Sequence, residues 1–125
     1  MSQPHSWKRI AAIAAILFGL LTIVSGGKAL FGDPAAQAAV GNAVPFVLWF
    51  NFLAGFAYIA GGIMLWLRHP IARLIAWALA LATLAVFGAF LITIALGTPF
   101  EMRTIGAMTL RSGFWLAIAT ALSRK

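Results

Sequence analysis

The chain has no cysteine, a single tyrosine and only two acidic residues. Without cysteine there is no disulfide frame, no thiol nucleophile and no thiolate site for a metal or iron–sulfur cluster. With two acids there is little scope for paired-carboxylate chemistry. Charge of any sign is also scarce: charged residues make up 9% of the 125 positions, against roughly a quarter in an ordinary soluble domain. That is too little to cover a water-exposed surface, and it excludes a soluble enzyme, a secreted disulfide domain and a disordered tail together. What the chain has instead is apolar bulk, 63% hydrophobic residues and a mean hydropathy of +1.01. The net charge of +7 comes from basic residues scattered between long apolar blocks. This distribution reads as membrane topology, with no nucleic-acid partner expected. The length suits a single transmembrane domain over residues 1–125.

A helix needs about 20 mostly apolar residues to cross a hydrocarbon layer about 30 Å thick. Four stretches qualify: Ile10 to about Gly27, about Val44 to Leu67, Ile71 to Leu96, and Thr104 to Leu122. The runs are continuous, without the alternation of a barrel strand, so their backbones must satisfy themselves as helices. The fold expected is all-α, an integral membrane four-helix bundle running up-down-up-down. Lys8, Arg9, Arg68, Arg73, Arg124 and Lys125 fall on one side of such a bundle. Lys28 and Arg103 fall on the other, with both acids, Asp33 and Glu101. The positive-inside rule then gives both termini inside, in a multi-pass protein of the cytoplasmic (inner) membrane. The first run also has the layout of a signal peptide, with small residues ending in Ala35-Ala36-Gln37-Ala38. Its apolar stretch from Ile10 to Val24 is at the upper end of signal-peptide length, and we expect it to stay as the first helix. Arg68-His69-Pro70 and Gly97-Thr98-Pro99-Phe100 predict tight turns. The longest connection, about Phe31 to Ala43, is expected at the interface or across one end of the bundle.

Polar groups within the apolar runs are costly, so they mark the candidate site. Arg111 lies about 12 Å along the fourth helix from Arg103. It either holds an anionic headgroup, a quinone carbonyl or an acid on a partner helix, or snorkels to the outer interface. Thr104, Ala107, Met108, Arg111 and Trp115 share one face, a mixture that suits an inward orientation. In the second helix Asn51 and Tyr58 share a face with Gly55 and Gly62, which suits close helix contact or the lining of a ligand cavity. Asn51 and Arg111 fall at comparable depth, so both can enter one outward-facing pocket with Tyr58 as its floor. Glu101 stands at the mouth of the fourth helix, as a cap near the positive end of the dipole or as a partner for Lys28. Asp33-Pro34 predicts a turn.

The histidines, His5 and His69, flank the apolar runs, so no axial haem ligand faces a core. Met64, Met102 and Met108 are scattered, and no phosphate loop or Ser–His–Asp set occurs. We expect no metal or covalent cofactor and no independent catalysis. Trp7, Trp49 and Trp66 read as interface anchors, with Trp77 and Trp115 deeper.

The motif Ser25-Gly26-Gly27-Lys28-Ala29-Leu30-Phe31-Gly32, after a basic start and an apolar helix, resembles the first helix of the DoxX-like membrane proteins. Ala54-Gly55-Phe56-Ala57-Tyr58-Ile59-Ala60-Gly61-Gly62-Ile63-Met64-Leu65, with the basic turn from Arg68 to Arg73 after it, is similar to their second helix and its short basic turn. The acid typical of that helix is replaced here by Tyr58, a departure that weakens the case for a proton or redox role tied to the carboxylate. The resemblance implies an accessory or quinone-proximal subunit of a membrane oxidoreductase, with Arg111 as a buried cationic anchor added by this chain. The competing expectations are a small homo-oligomeric transporter or an anion channel lined by Lys28, Arg103 and Arg111, and a purely structural or lipid-binding membrane protein. Partners expected are the lipid bilayer and other membrane subunits or further copies of the chain, and quinone is the one small molecule implied.

Overall fold

In a lipid interior an unpaired backbone group has no water to turn to, so each apolar run closes its hydrogen bonds on itself. The computed structural model describes residues 4–39, 41 and 44–124, with side chains from Trp7 onward. The side chain of His5, and all of Asn42 and Lys125, lie outside the described residues. The described chain is helical throughout: α1 (Pro4–Phe31), α2 (Pro34–Ala39), α3 (Pro45–Trp66), α4 (Ile71–Ala95) and α5 (Met102–Ser123). No strand occurs among the described residues. All but α2 are long and apolar enough to cross a membrane, which makes the chain a multi-pass membrane protein.

Two boundaries differ from the sequence reading. Helix α1 runs for 28 residues and passes through Gly26-Gly27 to Phe31. Glycine ends helices in water because it frees the backbone, whereas Gly26 here is pressed against Phe52, with an added Cβ only 3.1 Å from that side chain. The connection after α1 also holds a helix of its own. Asp33 Oδ1 accepts from the Ala36 N–H at 2.8 Å, satisfying a donor at the start of α2, and Pro34 comes next with its fixed φ. Gln37 Nε2 donates to Leu30 O at 3.3 Å and ties α2 back to α1.

The ends of α3 and α4 close with the same motif. After α3, His69 N–H donates to Met64 O at 2.9 Å and Arg68 N–H to Leu65 O at 3.1 Å. After α4, Thr98 N–H donates to Thr93 O and Gly97 N–H to Ile94 O, both at 3.0 Å. The pattern needs a left-handed residue just past the helix. Gly97 supplies it at φ +97, and Arg68 does so at φ +54, a conformation that costs a side-chain-bearing residue about 1 kcal/mol.

The closest packing is between α1 and α3. A Cβ on Gly19 would stand 2.6 Å from Gly55 O, and one on Gly62 would stand 2.9 Å from Ala12 O. The pairs Gly26/Phe52, Gly19/Gly55 and Ala12/Gly62 step back along α1 as they advance along α3. Small residues permit this backbone approach, which replaces the hydrophobic drive that is missing between helices in lipid. Tyr58, Leu65, Ala76, Trp115 and Ile118 belong to the main buried cluster, while Val47, Phe90 and Met108 belong to a smaller one. Trp77 Nε1 donates to Ser123 Oγ at 2.9 Å and ties α4 to the end of α5. Trp49 and Trp66 remain exposed, and the Arg9 guanidinium lies 5.3 Å from the Trp66 ring centre.

Gly19→Leu or Gly55→Val should force α1 and α3 apart and lower stability by about 1–3 kcal/mol. Gly88→Ala, where nothing lies within 4 Å, should be neutral or slightly stabilising. Unfolding in mild detergent measures both, and equal losses at the two kinds of site would refute the close-contact account.

Candidate functional site

The buried face of α5 carries Met108, Arg111, Ser112 and Trp115. Arg111 is 9% exposed, and its side chain is held among those of α1, α3 and α5. Its Nη1 donates to Thr22 Oγ1 on α1 at 2.9 Å and to Tyr58 Oη on α3 at 3.3 Å. The cation also lies 4.8 Å from the Phe18 ring centre and 5.8 Å from that of Tyr58. The negative ring faces partly compensate its lost hydration. Phe18, Tyr58 and Trp115 pack in sequence, with centroid separations of 5.3 Å at each step. They form an aromatic floor beneath the cation.

The acceptors around Arg111 are hydroxyls, and no carboxylate among the described residues neutralises it. Asp33 caps α2, and the ion pair of Glu101 is with Arg103, at 3.7 Å. The Arg111 Nε is buried without a hydrogen-bond partner, as are Asn51 Oδ1, Thr83 Oγ1, Ser112 Oγ and Trp115 Nε1. A guanidinium has five N–H donors in a fixed fork; the Nε–H of Arg111 is enclosed by the protein, while the side chain reaches a cleft as one of its lining residues.

Above Arg111 a cleft of about 660 Å³ opens between the end of α1, α2 and the starts of α3 and α5. Lys28, Asn51, Glu101, Arg103 and Arg111, named from the sequence, all line it. Tyr58 does not: it lies under Arg111, fully buried, and bonds the guanidinium from below. Glu101 occupies the N-cap position of α5 without a side-chain capping bond, which departs from the capping role. Its carboxylate lies against Gly41, where a Cβ would stand 2.7 Å from Oε2, and its pairing with Arg103 replaces the pairing considered with Lys28. Arg103 Nη2 also donates to Ala39 O at 3.4 Å, joining α5 to the end of α2.

Thr22 and Phe18 escaped the sequence reading. Thr22 had a signal, since it is the one hydroxyl between Ile10 and Val24. Phe18 had none, being one of ten phenylalanines. Chemically, the cleft can grip and orient a carbonyl or oxyanion through Arg111, with Asn51 beside it. Among the described residues there is no group of three side chains suited to a metal ion, and His69 spends Nδ1 on the Ile71 N–H at 3.1 Å.

Thr22→Val should cost about 1–3 kcal/mol, because it strands a buried charged donor. Adding Arg111→Met should recover much of that loss, since an apolar side chain of similar reach needs no acceptor. Thermal unfolding of the single and double variants in detergent measures the coupling; additive losses would show that the Thr22–Arg111 bond contributes nothing. Comparison of the chain with protein-family models, curated proteins and solved structures finds no match.

Proposed function

We propose that this protein is an accessory, quinone-proximal subunit of a membrane oxidoreductase, in which Arg111 holds a ligand oxygen at the base of the cleft. The observation that carries the reading is a mostly buried guanidinium that lines the cleft and has only hydroxyl acceptors for Nη1. A quinone suits the site because it brings carbonyl oxygens on an apolar ring and tail. Arg111 donates to one carbonyl, and Ala29, Leu48 and Ala107 provide apolar wall. The chain's residues bind and orient; the electrons belong to partner subunits. The likeness to DoxX-like proteins over the first three membrane helices points the same way.

The arrangement proposed is an up-down-up-down bundle in the cytoplasmic membrane, with both termini on its inner side. The opposed pairing of α1 with α3 supports it, as does the tight turn between α3 and α4. Lys8, Arg68 and Arg73 gather at one end, and Lys28, Arg103 and Glu101 at the other.

A second reading, an anion pathway, is favoured by the three cations of the cleft. Against it stands the floor below Arg111, where Tyr58 and Trp115 are 0% and 1% exposed and leave no passage.

Protein purified in mild detergent from its own membrane should retain quinone and co-purify with redox subunits, both identified by mass spectrometry. Arg111→Leu should lose the quinone at undiminished folded yield. A lone homo-oligomer with ordinary phospholipid, or unchanged quinone-dependent electron flow in that variant, would overturn the reading, while anion flux in liposomes would favour the pathway instead. Because the chain lacks cysteine, single cysteines report topology cleanly: Arg68→Cys and Arg124→Cys should label from the inner side and Lys28→Cys from the outer. Labelling of all three from one side would overturn the arrangement.

A further inference from the structure

A second concavity, of about 610 Å³, lies at the end of the helices opposite the Arg111 cleft. Lys8 of α1, Arg68 and His69 of the turn after α3, and Arg73 in the first turn of α4 line it, and no acidic residue does. Its remaining wall includes Leu65, Trp77 and Leu122, so cationic groups adjoin an apolar surface.

Two details separate this pocket from a mere scatter of inner-face cations. Arg68 holds φ +54 at the position where the matching end of α4 has Gly97. Glycine would relieve the backbone there, so the conformation is tolerated for a residue whose side chain lines the pocket. His69 accepts the Ile71 N–H on Nδ1 at 3.1 Å, so its neutral ring carries the proton on Nε2 and remains a donor. The Trp77 indole N–H is already used by Ser123, and its ring contributes surface only.

We propose that this pocket binds the phosphate of an anionic phospholipid, with Lys8, Arg68, His69 and Arg73 around the headgroup and the acyl chains over Leu65, Trp77 and Leu122. A phosphate ester is the shared chemistry, and a soluble ester is the other possible source. The apolar wall favours the lipid. Basic pockets between membrane helices bind anionic headgroups in this way. The inference is independent of what occupies the Arg111 cleft, which lies at the other end.

The test is native mass spectrometry of the full chain in mild detergent, titrated separately with phosphatidylglycerol, phosphatidylcholine and glycerol 3-phosphate. Phosphatidylglycerol should bind at least about tenfold more tightly than either of the others. Arg68→Gly and Arg73→Gln should each weaken it about fivefold, whereas Arg124→Gln, an exposed cation at the same end but outside the lining, should leave it unchanged. Arg68→Gly should melt no lower than the parent without lipid, which separates lost binding from misfolding. Equal binding of phosphatidylcholine, or an equal loss in Arg124→Gln, would reduce the effect to diffuse charge and overturn the proposal. Glycerol 3-phosphate binding as tightly as the lipid would overturn the lipid assignment and give the pocket to soluble phosphate esters.

Discussion

The backbone contact between α1 and α3 at Gly19 and Gly55 governs the geometry of everything above it. With an added Cβ at Gly19 only 2.6 Å from Gly55 O, neither helix can carry a side chain at the crossing. The approach carries Thr22, one turn further along α1, to the Arg111 guanidinium at 2.9 Å. Gly55 does the same for Tyr58 on α3. A wider crossing would leave both hydroxyls short of the cation, and the charge would then need a partner the helices do not contain. Packing of small residues and solvation of one cation are therefore a single constraint, read once in sterics and once in electrostatics.

That constraint shapes how the chain handles polarity. Its two acids stay at helix boundaries, where Asp33 caps α2 and Glu101 faces Arg103. Arg111 alone is taken inside among the charged groups described, and hydroxyls and ring faces solvate it. A carboxylate partner would close the site on itself as an ion pair. The two hydroxyls accept from Nη1 alone and leave the cation without a neutralising charge where it borders the cleft. This is why the cleft reads as a place to hold an acceptor and the floor beneath it as a place to stop one.

Much of the architecture was legible because lipid simplifies the rules: run length and continuity alone locate four long apolar helices. Glycine misled, since Gly26-Gly27 reads as a helix end in water and is a contact surface in the α1–α3 seam. The short α2 was hidden because six residues are too few for a periodic signal, and Asp33-Pro34 signals a turn and a helix start alike. At the site, charge guided the choice of Lys28, Glu101, Arg103 and Arg111, and a polar side chain within an apolar run that of Asn51; the fold gathers those five around one cleft. The same emphasis on charge passed over Thr22, whose hydroxyl matters only through a three-dimensional contact. The partner of Glu101 was equally out of reach, because it depends on how Gly41, with φ +72, brings the connecting segment against the carboxylate.

The order of the chain adds a temporal dimension to Arg111. An arginine at mid-depth raises the cost of placing a helix in the bilayer by about 2.5–3.5 kcal/mol, and α5 is the span with the lowest hydropathy, 1.3. Phe18, Thr22 and Tyr58 all precede it in the sequence, so during synthesis the helices that bear them leave the ribosome first. When α5 reaches the membrane, the acceptors for its charge are already there, and the last helix can partition into protein instead of bare lipid. Moving the same arginine into α1 would ask the first helix to carry its charge across the translocation machinery alone.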